Sequence, residues 1–154
     1  LFTGSLFKSK YRGGDDVWRN SRFDRGYIMT VLGGKEWELR DPDRVRYFSI
    51  NARLNVMGGK RISPVDEART FNKREVFYDE HRAYANREPM VFYGDVTLEY
   101  RKNRRNIATV WSLQIINITG HEEYYGYIYN LKHNRIDEDQ ERIVVPNLSY
   151  KIEF

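Results

Sequence analysis

The sequence predicts an all-β fold, an antiparallel sheet that forms one segment of a transmembrane β-barrel. Three observations lead to this prediction. Aromatic residues make up 15% of the 154 residues, although the chain is hydrophilic on average, with a mean hydropathy of -0.75. Apolar and polar residues alternate along several long stretches, and the connections between these stretches alternate between short and long. Aromatic and β-branched residues scattered among polar ones are typical of strands with one wet face.

Six strand-like segments are bounded by clusters of Gly, Pro, Asn and Asp, which punctuate strands. The connections after the second and fourth segments, Asp41-Pro42-Asp43 and Asn103-Arg104-Arg105-Asn106, are tight turns, whereas those after the first, third and fifth hold roughly ten, thirty and twenty residues. Bacterial outer-membrane barrels have this asymmetry, with short periplasmic turns and long extracellular loops. Phe154 is therefore expected at the periplasmic rim. The predicted strands are Phe2–Arg12, Phe23–Arg40, Val45–Met57, Met90–Lys102, Ile107–Thr119 and Arg142–Phe154.

Alternation gives each predicted strand one apolar and one polar face. A slip of one residue would turn Arg53 or Lys151 toward lipid, at a cost of about 2–4 kcal/mol for a basic residue at the midplane. In the second strand Lys35 shares the apolar face of Trp37, where it can snorkel to an interface, and the fifth strand alternates less cleanly. The apolar face comprises Phe48, Ile50, Ala52, Leu54 and Val56 in the third strand, Val96, Leu98 and Tyr100 in the fourth, and Leu148, Tyr150, Ile152 and Phe154 in the last.

A soluble sheet with one face on a core would alternate in the same way. Strand length and aromatic placement favour the membrane instead. The strands are longer than the usual five or six residues of soluble sheets and reach the length of about ten that crosses a bilayer at a tilt. The sequence contains no apolar run of about 18 residues, so no transmembrane helix is predicted. Aromatic residues gather at both strand ends like two interfacial girdles, with Trp37, Tyr47, Phe48, Tyr100, Tyr150 and Phe154 at the periplasmic end and Phe23, Tyr27, Phe92 and Tyr93 at the other.

Other classes of protein find little support in the sequence. The net charge of +4 comes from 26 basic residues spread among 22 acidic ones, which does not predict a nucleic-acid partner. The absence of cysteine excludes disulfides and thiolate metal sites. His81, His121 and His133 lie in predicted loops without ligand spacing, so no metal site is predicted. No catalytic arrangement or phosphate-binding loop is readable, and neither an enzyme nor a cofactor is predicted.

Several stretches, in their order and spacing, resemble the C-terminal barrel region of TonB-dependent outer-membrane receptors, and the resemblance covers essentially the whole chain. The terminal Pro146-Asn147-Leu148-Ser149-Tyr150-Lys151-Ile152-Glu153-Phe154 looks like the last strand of that family. The other matching stretches are Tyr11-Arg12-Gly13-Gly14, Val17-Trp18-Arg19-Asn20, Gly34-Lys35-Glu36-Trp37, Asn51-Ala52-Arg53-Leu54-Asn55, Gly58-Gly59-Lys60-Arg61 and Val110-Trp111-Ser112-Leu113-Gln114 with Asn117.

The resemblance implies a 22-stranded barrel closed by an N-terminal plug domain, of which residues 1–154 would supply about the last six strands and no plug. In that family the plug contacts TonB, which couples the proton-motive force to uptake of a scarce nutrient such as a siderophore, cofactor, peptide or glycan. The chain begins at Leu1 without a start Met or a signal peptide, so it is mature, trimmed or a fragment. Two open sheet edges are not tolerated in lipid, so the remaining barrel is expected upstream or in another chain.

Two groups of residues are candidates for function. The terminal strand, through Leu148, Tyr150, Ile152 and Phe154, resembles the signal that the outer-membrane barrel assembly machinery recognises by strand pairing and an aromatic anchor; the alternative is an ordinary lipid-facing strand. Aromatic and basic residues of the loops are candidates for contact with a ligand or partner; the alternative is solvated charges and strand extensions. These loop residues are Trp18, Arg19, Arg82, Tyr84, Tyr124, Tyr125, Tyr127 and Tyr129.

The leading functional hypothesis is therefore part of a nutrient receptor in the bacterial outer membrane. Its expected partners are outer-membrane lipid, the rest of the same barrel with its plug, TonB through that plug, and the barrel assembly machinery. Two alternatives stay open. The chain could belong to a structural or interaction component of an envelope complex, in contact with other envelope proteins. It could also be a soluble β-barrel that binds a small apolar ligand.

Overall fold

The computed structural model describes residues 1–41 and 44–154, and most of the expected turn Asp41-Pro42-Asp43 lies outside these residues. Strands dominate the described chain, which confirms the predicted β class. The strands are β1 (Phe2–Leu6), β2 (Lys10–Arg12), β3 (Trp18–Asn20), β4 (Tyr27–Asp41), β5 (Arg44–Met57), β6 (Arg61–Ile62), β7 (Asn86–Arg87), β8 (Val91–Asn103), β9 (Ala108–Ile116), β10 (Glu123–Asn130), β11 (Arg135–Glu141) and β12 (Val145–Glu153), and the helices are α1 (Glu67–Lys73) and a 3-10 turn (Glu80–Arg82).

Six of these strands form one antiparallel sheet in the order β1-β4-β5-β8-β9-β12. They correspond to the six predicted strands, and every neighbouring pair is antiparallel as expected. The sheet is not closed into a barrel, because β1 and β12 are its two outermost strands. Each of these strands therefore keeps one edge without a partner strand among the described residues.

Strand boundaries differ from the prediction where loop hydrogen bonds replace the sheet ladder. The predicted strand Phe2–Arg12 is split into β1 and β2: Phe7 N still continues the β1 ladder by donating to Gly26 O at 2.9 Å, but β2 pairs with β3 instead. The second strand begins at Tyr27 and not at Phe23, since Gly26, with φ +81, turns the chain into the sheet.

The fifth and sixth strands are also shorter than predicted. β9 ends at Ile116 because Asn117 has φ 54, a left-handed conformation that Asn tolerates better than most residues. The sixth strand begins at Val145 and not at Arg142.

The predicted asymmetry of the connections is confirmed. Residues 7–26, 58–90 and 117–144 leave one end of the sheet, and the turn after β8, closed by Arg104 N donating to Ile107 O, lies at the other. The long connections also contain structure that the prediction lacked, namely the hairpins β2–β3 and β10–β11, the pair β6–β7 and α1. Among residues 1–41 and 44–154, neither helical segment is long and apolar enough to cross a membrane.

The register aligns one aromatic residue from each of five neighbouring strands in a single row, here called the aromatic row. The Trp37 and Phe48 rings are stacked with centroids 5.9 Å apart, and those of Trp111 and Tyr150 are 4.4 Å apart. Cross-strand partners in an antiparallel sheet share a face, so the row lies on the apolar face near the short turns. Its members are Trp37, Phe48, Tyr100, Trp111 and Tyr150.

Three members of the expected girdles lie elsewhere. Phe23 precedes β4 and lies in the connection 7–26. Tyr47 pairs with Glu38 and Arg101, so it belongs to the polar face. Tyr93 follows Phe92 in β8 and therefore also points to the polar face, because adjacent strand residues point to opposite faces. Alternation along the whole strand determines the faces of Tyr47 and Tyr93, whereas a count of aromatic residues near the strand ends does not.

Nothing in the described chain covers the apolar face of the sheet. Leu148 is 69% exposed and Phe154 97%, whereas the single buried apolar side chain among the described residues is Tyr124, in the loops. Large apolar side chains are normally buried against a second layer. Among residues 1–41 and 44–154, the apolar face of the sheet is therefore left without a covering layer.

We expect Gly59→Ala to destabilise the connection 58–90, because a Cβ at Gly59 would collide with the backbone carbonyl of Glu88. Overpacking of this kind costs about 1–3 kcal/mol. Gly14→Ala is the matched control, since a Cβ at Gly14 meets open space. Thermal unfolding of the purified protein measures both changes, and an equal midpoint for the two variants would contradict the close approach.

Candidate functional site

The three long connections come together above one end of the sheet, and we call residues 7–26, 58–90 and 117–144 the loop cap. Specific side-chain contacts join the first connection to the second and the second to the third. The cap is therefore an assembled layer and not a set of independent loops.

A buried carboxylate joins the first two connections. Asp24 is 2% exposed and forms ion pairs with Arg61 at 3.2 Å and Arg87 at 3.6 Å. Its other oxygen accepts from Ser9 N at 3.2 Å, and Arg87 also donates to the carbonyls of Arg25 and Asp24. A buried charge is tolerated only when it is paired and hydrogen-bonded, and Asp24 meets both conditions.

The environment of Asp24 lowers its pKa below the ordinary value of an aspartate. Burial by itself would raise this pKa. The hydrogen bonds from Ser9 N and Arg61, with the positive charges of Arg61 and Arg87, outweigh burial. The carboxylate is therefore held in its charged form, which is the form that can bind two guanidinium groups.

The second and third connections meet through aromatic and charged contacts. The rings of Phe71 in α1 and Tyr129 in β10 meet edge to face with centroids 5.9 Å apart, and Lys60 lies 3.6 Å from Glu123. The helix α1 that carries Phe71 begins at Asp66, whose side chain accepts from Arg69 N at 3.0 Å as an N-cap. The hairpin β10–β11 is therefore held against the second connection.

A cleft of about 430 Å³ lies between the polar face of the sheet and the third connection. The sheet contributes its floor from the upper ends of β5, β8, β9 and β12, and β10 and β11 contribute one wall. We call this space the polar-face cleft. Its charged and aromatic lining residues are Arg53, Tyr93, Asp95, His121, Glu123, Tyr125 and Glu141.

Asp95 fastens the third connection to the floor of this cleft. It is 4% exposed, accepts from Arg53 Nε at 2.9 Å through one oxygen, and accepts from Asn117 N at 3.0 Å through the other. The side chain of Asn117 then donates to the carbonyls of His121 and Ile143, each at 2.9 Å. One buried carboxylate thus fixes both the start and the end of the connection.

The tyrosines of β10 that the sequence singles out do not form one site. Tyr125 shares a smaller cleft of about 220 Å³ with Tyr84, whereas Tyr124 and Tyr127 line another space beside Arg87 and Glu88. Tyr129 packs on Phe71 as described. The alternative interpretation is that these tyrosines belong to an extension of a sheet strand. β10 is a strand, but it pairs only with β11 and does not extend the six-stranded sheet.

The remaining loop candidates lie apart from these tyrosines. Trp18 in β3 is 64% exposed, and Arg19 beside it is bound to Asp15 through two hydrogen bonds of 2.8 and 2.6 Å. This pairing, with a hydrogen bond from Val17 N, lowers the pKa of Asp15 to about 2. Arg82 is exposed at the end of the 3-10 turn. The structure does not bring Trp18, Arg19 and Arg82 into one site.

The environment of the loop tyrosines raises the pKa of two of them. Burial and a hydrogen bond with Tyr127 raise the pKa of Tyr124, and the negative charge of Glu123 raises the pKa of Tyr125. Burial also raises the pKa of Glu88. The phenols of Tyr124 and Tyr125 are therefore neutral at physiological pH, and their hydroxyl groups can donate hydrogen bonds.

The terminal strand carries its predicted residues on an open side of the sheet. Leu148 and Tyr150 of β12 are exposed on the apolar face, cross-strand from Leu113 and Trp111 of β9. Ile152 continues that face, and Phe154 follows the end of β12. The outer edge of β12 has no strand partner among the described residues, so an added strand could pair there.

Sequence reasoning missed the residues that hold the cap together, chiefly Asp24, Asp95 and Asn117. No local pattern marks an aspartate as buried, because the partners of Asp24 lie in another connection. Only the alternation of β8 indicated that Asp95 faces away from the apolar side. Its pairing with Arg53 depends on a register that joins distant segments.

Histidine placement gives no metal centre within the described part of the chain, where no group of three or more possible ligands is gathered. His121 lies against the Phe92 ring, with centroids 4.4 Å apart. Comparisons of the chain with protein-family models, with curated proteins and with solved structures found no match.

We expect Asp24→Asn to loosen the first two connections by roughly 3 kcal/mol, because it leaves Arg61 and Arg87 without their buried counter-charge. Hydrogen exchange of the amides of Ser9 and Arg61 measures this local opening. Asp15→Asn is the control, since it removes a carboxylate from an exposed ion pair and should leave those two amides unchanged. Equal exchange rates in both variants would contradict the role of the buried Asp24 carboxylate in joining the two connections.

The lowered pKa of Asp24 also sets a pH dependence. A carboxylate whose folded-state pKa is depressed stabilises the fold above its unfolded-state value of about 3.9, and this stabilisation is lost as the pH falls through the folded-state value. Protection of the Ser9 amide should therefore stay constant from about pH 7 to pH 5 and fall only in more acidic solution. Hydrogen exchange corrected for its intrinsic pH dependence measures this, and a loss of protection near pH 6 would contradict the assignment.

Proposed function

We propose that this chain forms part of the wall of a transmembrane β-barrel in the bacterial outer membrane. The single observation that carries the proposal is the continuous, uncovered apolar face of the six-stranded sheet, bounded by the aromatic row. Lipid is the partner that suits such a face, because barrel strands alternate between apolar residues outside and polar residues inside.

The dimensions of the apolar face support a bilayer. Tyr27 and Trp37, at the two ends of that face, are ten residues apart in β4. At about 3.3 Å per residue and a strand tilt near 40°, this spacing gives a height of roughly 25 Å, the thickness of an outer-membrane apolar band.

Basic residues lie where lipid headgroups would meet the sheet. Arg46 and Lys102 are cross-strand partners one row beyond the aromatic row. Lys35, one row inside it, places its Nζ 5.3 Å from the centroid of the Trp37 ring. This direction toward the interface is the one that a snorkelling lysine takes.

The two open edges favour a larger assembly. A sheet edge in lipid leaves backbone N–H and C=O groups without partners, at a cost of several kcal/mol each. We therefore propose that β1 and β12 pair with further strands, in the barrel of a receptor like those driven by TonB. The loop cap and its clefts then face outward and suit the capture of a scarce nutrient.

A role as an interaction component of an envelope complex is the second candidate. It is favoured by exposed apolar residues in the first connection, where Trp18 is 64% and Phe23 68% exposed. The gene sequence before Leu1 separates the two candidates. A plug-sized domain of about 150 residues with a segment that contacts TonB would support uptake, and its absence would favour the interaction role.

Spin labels on adjacent residues of β8 test the membrane proposal. The chain has no cysteine, so Leu98→Cys and Thr97→Cys each give one labelled position in this chain. The labelled protein is extracted with detergent and returned to lipid. We expect the label at position 98 to collide often with dissolved oxygen and rarely with a water-soluble nickel complex. The label at Thr97, on the polar face, should show low oxygen access.

The pair of labels is its own control, because the two sites are neighbours in one strand. Equal oxygen access at both positions, or recovery of the folded protein in the aqueous fraction without detergent, would overturn the membrane proposal. The second outcome would favour a soluble sheet with a packed apolar face.

Substitution of the last residue tests the assembly role of the terminal strand. We expect Phe154→Ala to lower the amount of folded protein in the outer membrane severalfold, because it removes an aromatic anchor that is 97% exposed. Lys151→Gln, on the polar face of the same strand, should have little effect. Gel mobility with and without heating measures the folded fraction, and similar yields for the two variants would leave Phe154 as an ordinary lipid-facing residue.

A further inference from the structure

We infer that the polar-face cleft binds an organic cation, a ligand with a quaternary or primary ammonium group on a small apolar body. This inference deepens the proposed function, because it names the class of nutrient that a receptor with this cap would capture. It depends on the chemistry of the lining and on the charges that meet there.

The lining carries more negative than positive charge. Three carboxylates, on Asp95, Glu123 and Glu141, face a single guanidinium, on Arg53. Arg53 is engaged by Asp95 through Nε at 2.9 Å, so it is neutralised within the cleft. Lys60 forms an ion pair with Glu123 at 3.6 Å, and no ion pair involves Glu141 within residues 1–41 and 44–154.

The backbone register places two of these carboxylates directly against each other. Glu123 and Glu141 are cross-strand partners at the open end of the hairpin β10–β11. Like charges directly opposite in an antiparallel pair are destabilising. A cation bound between them would relieve this repulsion, whereas an anion would increase it.

The negative potential reaches the ring that forms part of the cleft wall. The hydroxyl of Tyr125 lies 3.4 Å from Glu123 Oε2, and the charges of Glu123, Glu141 and Asp139 all act to raise the pKa of this phenol. Tyr125 therefore lies in the negative potential of these carboxylates, which favours a cation beside it.

Aromatic and aliphatic side chains suit the apolar body of such a ligand. Tyr93 and Tyr125 offer ring faces, and Ile116, Ile143 and Val145 line the same space. An ammonium group near an aromatic ring gains about 0.5–1 kcal/mol at an exposed site. A bare metal ion fits less well, because no group of three or more possible ligands is gathered among the described residues.

The test compares two probes of the same shape that differ in charge. Choline and its neutral isostere 3,3-dimethylbutan-1-ol are titrated by calorimetry into the full-length protein in a neutral detergent. We expect choline to bind about tenfold more tightly than the alcohol, and to weaken as salt concentration rises. This comparison needs no variant, so it stands even if a substituted protein fails to fold.

Variants then locate the site. Glu141→Gln and Tyr125→Leu should each weaken choline binding about fivefold, by removal of a charge and of a ring face respectively. Glu122→Gln is the matched control, because Glu122 precedes Glu123 but pairs with Arg142 outside this cleft, at 2.8 Å. Its choline affinity should equal that of the unsubstituted protein.

Equal affinity for the two probes, no binding of choline, or an equal loss in Glu122→Gln would each overturn the inference. The outcome is independent of the spin-label experiment. Lipid access at Leu98 without choline binding would leave the barrel in place and remove the cation site. Choline binding without lipid access would leave a cation site on a protein that is not a barrel.

Discussion

The constraint on which the rest of the structure depends is the register of a six-stranded sheet that has no second layer in the described part of the chain. Because successive residues point to opposite faces, one choice of register sorts every side chain into an apolar or a polar set. The same choice aligns five aromatic rings and brings Arg53 opposite Asp95. A slip of one residue between β5 and β8 would destroy both arrangements at once, so the apolar face and the polar-face cleft depend on the same register.

The sheet was largely predictable because its signal is local. Alternation, strand length and connection length can each be read from neighbouring residues, and all six strands were found. Boundaries were wrong at Phe23 and Arg142, whose hydrogen bonds go to residues of their own connections, Ser21 and Glu122, and not to a neighbouring strand of the sheet. The helix α1 was missed although Asp66 followed by Glu67 is a recognisable start, because a segment of seven residues gives little periodicity.

The candidate site was less predictable because its bonds are not local. A count of aromatic residues singles out the segment that forms β10, but the hairpin with β11 distributes its tyrosines among three separate environments. The buried aspartates that organise the loop cap are invisible in sequence, since their arginine partners come from other segments. Burial of a charge is a property of the assembled loops and has no sequence signature of its own.

The hairpins inside the long connections bear on how the sheet forms. Three of its five strand pairings, β1 with β4, β5 with β8 and β9 with β12, require distant segments to meet, and such pairings form slowly. Closing a flexible loop costs conformational entropy that grows slowly with its length. A connection that folds on itself, as residues 117–144 do through β10 and β11, brings Ile116 close to Val145 with fewer free residues between them. The cap thus lowers the entropic barrier to forming the sheet beneath it.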